Sequence, residues 1–399
     1  MKCSLCLYTS SHPFGITFDN RGVCSGCRVH LEKDFIDWEW KRARLDTFLN
    51  DYKSQKGNYD CVLPVTGGQD TFYIVHLVRN VLKMNPLLVN FNRSFNSKIG
   101  LANLAKLRTT FDVDFRQFTI NPTIAKSVIR HTIANLGTAN WLNIAGQTSF
   151  PVRVAVEKKI PLIIWGAHQG VEQVGMYSHF DEVEMTSRYR TEHDLLGVDE
   201  DLILDGTTNF TELDISSLKY PADSELNRLG VRGIYLSNYF RWDPVAQHEF
   251  VARTYGYLGK KSESTYYKFD NPDCMIYNSF QDQLKRVKLG YGKVTDQLVR
   301  DIRHKRISLI KAQKIESAYR SKVRDSDLLQ FAKWLGTSVE ALKLSIATHD
   351  FLTNRRDLLL INAGEKLSIG GRLNHYLSRK SVSTDADFSN YGKGNIDKS

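Results

Sequence analysis

The chain has 399 residues, and its 54 Lys and Arg outnumber 44 Asp and Glu to leave a net charge of +10. An apolar content of 42% and a charged content of 25% are those of a folded globular chain, long enough for two or three domains, and exclude a disordered or collagen-like one. The positive balance points to an anionic partner or substrate (a nucleotide, a nucleic acid or a sugar acid) without choosing among them.

The chain opens MKCSLCLYTSSHPFG, with a cysteine pair where the apolar stretch of a signal peptide would sit. Its most apolar short run, IPLIIWGA from Ile160, falls far below the roughly 20 residues that a membrane helix needs. A cytoplasmic protein, with no membrane partner, is expected. Cys3 and Cys6 form one C-x2-C and Cys24 and Cys27 a second, with seventeen residues between the pairs. Four thiolates at that spacing close a tetrahedral shell around one structural Zn²⁺, with no open position for chemistry at the metal. Residues 1–30 are therefore read as a zinc ribbon, with Gly22 and Gly26 placed for its tight turns. Cys61 and Cys274 stand alone and are read as packing residues.

HLEKDFIDWEWKRARLDTFLNDYKSQ reads as one linker helix over 31–56, ended by Gly57 and Asn58. From 57 to 240, strands and helices alternate. YDCVLPV, PLLVNFN, VDFRQFTI and IPLIIWGAH read as four strands. Between them TFYIVHLVRNVLK, SKIGLANLAKLRTTF, PTIAKSVIRHTIANL and FPVRVAVEKK read as helices, the third entered at Pro122. A polar stretch over 177–225 reads as an insertion or helical excursion before a fifth strand in GVRGIYLSNYF. This order predicts an α/β fold with a parallel sheet covered by helices on both faces, and ligands at the carboxyl ends of the strands. The junctions at 66–71, 90–94 and 166–169 fall there. Residues 241–352 read as helical, with Gly290 and Gly292 marking a bend or a close approach to a ligand. Residues 353–399 form an extension whose last twenty residues are polar and expected to be disordered.

The junction YDCVLPVTGGQDTFYIVHLVRNVL joins a buried strand, two glycines and a helix, which is a phosphate-binding arrangement. Glycines let the backbone approach an anion, and the helix N-terminus adds partial positive charge. The spacing fits neither a Walker loop nor G-x-G-x-x-G. It resembles the S-G-G-x-D-S signature of the PP-loop ATP pyrophosphatases, a fold of the adenine nucleotide alpha hydrolase-like type. Thr66 and Thr71 stand for the serines, Gly67, Gly68 and Asp70 match, and Gln69 is the variable position. The resemblance implies that these six residues hold the pyrophosphate of ATP, joined by Asn92 and Gly166 at neighbouring strand ends. Asp70 and Thr71 are the catalytic candidates, Asp70 as a partner of Mg²⁺ through water.

The ribbon CSLCLYTSSHPFGITFDNRGVCSGC, the segment KIPLIIWGAHQGVEQVG and the run DQLKRVKLGYGKVTDQLVRDIRHKRISLIKAQKI together resemble the N-acetyl sugar amidotransferase family over most of residues 1–350. That resemblance implies an ATP-dependent enzyme of bacterial surface-sugar (O-antigen or nonulosonic acid) biosynthesis. Such an enzyme converts an acetamido group on a nucleotide-activated sugar into an acetamidino group through an adenylylated intermediate. It implies ammonia from a separate glutaminase subunit, since the chain has no glutaminase signature of its own. The chain departs from the family at Ala167 and His168, where an acidic residue is common, and at Gln281 and Gln297, where histidines are common. For the acidic sugar the basic C-terminal region offers Lys285, Arg286, Lys288, Lys293, Arg300 and Arg303, and the substrate set is taken as His168, Lys288, Asp296 and Arg303. Two rival readings stand beside this one. A PP-loop tRNA-modifying enzyme would suit the charge, but the chain lacks a dense basic patch interleaved with aromatics, so nucleic acid is not the expected partner. A non-catalytic nucleotide- or sugar-binding relative would suit the threonine-bearing loop.

Overall fold

The computed structural model describes residues 1–354 except 13, 55–56, 93–95, 205, 207, 269–275 and 320–324. Cys274 and nearly all of the 353–399 extension, including its expected disordered end, lie outside the described residues. Five strands form one parallel sheet: β1 Cys61–Pro64, β2 Pro86–Phe91, β3 Phe115–Phe118, β4 Leu162–Trp165 and β5 Arg232–Tyr235. Their order is β3-β2-β1-β4-β5. β1 pairs in parallel with β2 from Cys61 opposite Pro86 to Pro64 opposite Val89, and on its other side Val62 lies opposite Ile163 of β4. The chain thus builds outward through β2 and β3, then returns to the far side of β1. That reversal puts a crevice at the carboxyl ends of β1 and β4, where open α/β sheets bind ligands.

The strands are apolar on both faces because both faces are covered. Cys61, Leu63, Leu162 and Ile164 join one core cluster, while Val62 and Ile163 join the other. The first cluster takes its cover from α2 (Trp38–Asn50), α3 (Gln69–Val75), α4 (Lys98–Phe111) and α10 (Pro244–Tyr255), through Leu45, Phe72, Leu107 and Val251. The second is covered by α5 (Pro122–Leu136) and α6 (Trp141–Lys158). Helices α11 (Ile276–Leu289), α14 (Asp325–Leu335) and α15 (Val339–Asn354) add Phe280, Leu284, Phe331 and Leu342 to that same cluster. The C-terminal helical region therefore shares a core with the sheet. Helix α5 starts where the sequence predicts: Asn121 accepts from Thr123 N–H, Pro122 sits in the first turn, and Gly137 ends the helix at φ +60°.

The linker expected as one helix over 31–56 is two elements. Helix α1 (Ser25–Glu32) belongs to the ribbon, and α2 starts afresh after Asp37, whose side chain accepts from Trp40 N–H. That cap competes with a continuous helix, because an aspartate oxygen satisfies a donor that the preceding turn would otherwise satisfy. Helix α6 begins well before the expected FPVRVAVEKK, at Trp141. The polar stretch over 177–225 is largely loop, with short α7 (Ser187–Tyr189) and α8 (Glu212–Ile215), and ends in α9 (Asp223–Leu229). Gly290, at φ +78°, marks a bend, ending α11 before Gly292 caps α12 (Lys293–Arg303). Helix α13 (Leu309–Tyr319) follows.

Candidate functional site

The chain leaves β1 at Pro64 and turns through Thr66, Gly67 and Gly68 into α3. Thr66 N–H donates to Thr71 Oγ1 at 3.0 Å, and Gly68 N–H donates to Thr66 Oγ1 at 3.1 Å. Both hydroxyls are thereby used to hold the turn in shape. Gly68 is extended (φ −84°, ψ 163°), and no side chain caps the helix. The positive end of a helix that runs on through a π-helical segment to Val81 consequently faces the loop. Asp70 is exposed in that first turn, while Thr71 is buried. Gln69 serves the scaffold: its Oε1 lies 2.6 Å from His248 Nδ1 and its Nε2 donates to Pro244 O at 3.3 Å, fastening α10 to the loop.

Two clefts open beside this loop. The first is a shallow cleft lined by Thr66, Gly67, Asn90, Phe91, Asn96 and Gly100 among others, spanning about 290 Å³ with its open mouth included. Its walls are fixed by two buried amides that sequence reasoning did not single out as site residues. Asn90 donates to Val65 O at 2.7 Å and accepts from Gln117 at 2.7 Å, tying three strand ends together. Asn103 of α4, fully buried, donates to Leu258 O at 2.9 Å and to Gly67 O at 3.4 Å. Asn92 turns its amide to Thr119 Oγ1 at 2.9 Å and to Asn96. Gly166 is a packing glycine, since a Cβ there would stand 2.6 Å from Ile74 Cδ1 of α3.

The second cleft encloses about 510 Å³, its open mouth included. Asp70 faces it together with Ala167 and Gln169 beyond β4, Glu172, His30 of α1, and Arg300, Arg303 and His304 at the end of α12. Glu172 is paired to Lys33 Nζ at 2.5 Å, and burial raises its carboxyl above the usual range against that pull. Burial, reinforced by Lys33, lowers His30 to about 2. Burial also lowers His304 to about 4, although Asp243 opposes it. Both imidazoles are therefore neutral at neutral pH.

Of the four substrate residues expected from the sequence, Arg303 lines this cleft, with its guanidinium also donating to Gln173 O; the other three do not line it. His168 is 1% exposed, with its ring against Tyr177, Tyr189 and Tyr235, and burial lowers it to about 3. Lys288 is buried, and its ammonium donates to Leu136 O and Gly137 O at the end of α5, where a cation suits the helix dipole. Asp296 accepts from Tyr8 OH at 2.6 Å and pairs with Lys285. The departures from the family pattern are occupied too. Gln281 accepts from Ala139 N–H at 2.7 Å, and Gln297 accepts from Thr265 Oγ1 at 2.5 Å. His30, His304 and Asn103 carried no signal in the sequence, because each is defined by partners far along the chain.

The four cysteines converge. Their sulfurs all lie within 4.8 Å of one another, with Cys3 to Cys27 at 4.0 Å and Cys6 to Cys24 at 3.6 Å. Tetrahedral zinc with bonds near 2.3 Å needs sulfur–sulfur edges of about 3.8 Å, so this donor set fits that ion. Leu5 N–H and Cys24 N–H donate to Cys3 Sγ at 3.4 and 3.3 Å, and Arg303 Nη2 donates to Cys24 Sγ at 3.9 Å. Such donors offset the negative charge of four thiolates. Gly22 takes the expected turn at φ +72°. Gly26 does not: it lies in α1, where a Cβ would stand 2.2 Å from Arg303 Nη2 and 2.8 Å from Gln173 O. It is glycine because the ribbon docks there. Val174, Met176 and Val299 share a hydrophobic cluster with the four cysteines, so the cysteine module packs directly against the second cleft's wall.

Among the described residues, no helix is long and apolar enough to cross a membrane. Residues 263–368 match the family model described as LPS biosynthesis protein WbpG-like, C-terminal domain, which ties the C-terminal helical region to surface-sugar biosynthesis proteins. The chain is also similar to a Methanocaldococcus jannaschii protein described as uncharacterized, with 27% identity over 114 residues. That similarity takes in 29% of this chain and spans 41% of the relative's length.

Proposed function

We propose that the chain is an ATP-dependent amidotransferase of surface-sugar biosynthesis, converting the acetamido group of a nucleotide-activated sugar into an acetamidino group. The observation that carries the reading is the pairing of the Thr66–Thr71 loop with two clefts, in a chain whose C-terminal region matches an LPS biosynthesis family. In this reading ATP lies along the first cleft with its phosphates on the loop N–H groups, and the acetamido group enters the second cleft at Asp70. Asp70 orients hydrated Mg²⁺, and the helix N-terminus stabilises charge on the departing pyrophosphate. Thr66 and Thr71 keep the loop preorganised. Arg300 and Arg303 favour an anionic sugar nucleotide. Ammonia comes from a separate glutaminase, and the zinc centre is structural.

The test is release of AMP and pyrophosphate from ATP, Mg²⁺ and ammonium salt with a panel of nucleotide-linked N-acetyl hexosamines and hexosaminuronic acids. Release that requires one of the sugars, and that Asp70→Ala abolishes, is the expected result. Nucleotide bound without any turnover across the panel would instead favour a binding protein, and turnover driven by tRNA would favour the RNA-modifying alternative.

A further inference from the structure

The second cleft is lined by two imidazoles, His30 and His304, with the Asp243 carboxylate beside the second. His304 ends α12 with Nδ1 3.5 Å from Asp243 Oδ2. The His30 ring stands edge-on to the His304 ring, with centroids 4.7 Å apart at 78°. His30 comes from the last turn of α1, the helix that begins beside Cys24 and Cys27, so the metal module itself carries this imidazole to the cleft. Both rings line the cleft that Asp70 faces.

We propose that His304, backed by Asp243 and positioned by His30, accepts the proton released when ammonia attacks the adenylylated amide. This rests on the amidotransferase reading. In the first half-reaction the amide oxygen bonds to the α-phosphorus of ATP and pyrophosphate leaves. In the second, the ammonia lone pair forms a C–N bond to the amide carbon. The new ammonium centre gives one proton to the free nitrogen of His304, the C–O bond to AMP breaks, and its electron pair leaves with AMP. The product is an amidinium.

The surroundings suit this role. Lys33, Arg300, Arg303, Arg306 and Arg241 face the two rings or the cleft, against Asp70, Glu172, Asp34 and Asp243. Lys33 is paired to Glu172, Arg241 to Asp34 and Arg306 to Asp243, so the cleft keeps a small positive excess, which disfavours ammonium relative to neutral ammonia. The rings stay neutral, and a neutral imidazole carries one nitrogen with a lone pair. A weak base suffices, because an ammonium group on a tetrahedral carbon bearing a phosphate leaving group is far more acidic than free ammonium. Asp243, whose Oδ2 also accepts from Arg306 and whose Oδ1 caps α10, then offers its negative charge to the imidazolium.

The test separates the half-reactions in His304→Asn and His304→Ala, with His30→Gln as a variant of the neighbouring ring. Pyrophosphate–ATP exchange with the sugar panel reads adenylylation, and amidine formation with saturating ammonium reads the second step. The expected result is exchange within about twofold of wild type, amidine formation lowered about 100-fold in the His304 variants, and partial rescue of His304→Ala by added imidazole. His30→Gln, which leaves the base in place, is expected to lose about tenfold in the second step alone. Exchange and amidination falling together, without rescue, would overturn the proposal in favour of a structural histidine. Unchanged amidination would overturn it while leaving the amidotransferase reading intact. Wild-type protein with no exchange on any sugar would end that reading, and the proposal with it.

Discussion

Arg303 joins the four-cysteine cluster to the candidate cleft: its Nη2 lies 3.9 Å from Cys24 Sγ, while its Nη1 donates to Gln173 O at 2.8 Å. One guanidinium therefore offsets thiolate charge and clamps the segment after β4 at once. Arg303→Ala is expected to weaken zinc retention about 10- to 100-fold, the usual effect of losing an outer-shell partner. Arg303→Lys should fall between, keeping the charge without the planar fork. Competition for zinc with a chromogenic chelator measures both.

The close approach of α1 to the same guanidinium makes Gly26 intolerant of a methyl group. Gly26→Ala is expected to cost about 1–3 kcal/mol, read as a fall in melting temperature, because Arg303 and the Gln173 carbonyl must both shift. Gly22→Ala is the contrast. Its nearest neighbour, Ser4 Cβ, is 4.0 Å away, and only the positive φ of +72° works against it. Its cost should be about 1 kcal/mol.

Asn103 supports the loop from behind. Asn103→Ala leaves the Leu258 N–H and Leu258 O without their partner and removes the brace on Gly67 O. A loss of about 1–3 kcal/mol in urea denaturation is expected, together with weaker binding of a fluorescent ATP analogue. Full stability with unchanged nucleotide affinity would contradict the bracing role.

Asp296 links the ribbon to α11 and α12 through Tyr8 and Lys285. Although burial works against it, Lys285 and Tyr8 hold the Asp296 carboxyl below its ordinary range. Its stabilisation is therefore fully present above the ordinary carboxylate range near ~4 and fades as pH falls through the lower folded value. Melting temperatures of wild type and Asp296→Asn should differ at pH 7 and converge as the pH drops below ~4.

Much of this architecture is legible in the chain. β1 and β4 are short runs apolar on both faces, which only a doubly covered sheet explains, and α5 is bracketed by Asn121, Pro122 and Gly137. The cysteine spacing predicts a cluster that the structure brings together. The hidden parts share one cause: they depend on partners distant in sequence. Asp37 looks like any exposed helix residue until it caps α2. Lys288 and Asp296 read as parts of a basic ligand-binding run, but Lys288 meets Leu136 and Asp296 meets Tyr8. His30 looks like a ribbon residue and Asn103 like a polar interruption of α4, because neither sequence neighbourhood names the cleft or the loop it serves.

The most direct measurement is the mass of the sugar nucleotide after incubation with the protein, ATP, Mg²⁺ and ammonium. A product lighter by the difference between O and NH is expected, formed with one AMP per product and absent with Asp70→Ala. An unchanged sugar mass across the panel, despite consumption of ATP, would contradict it.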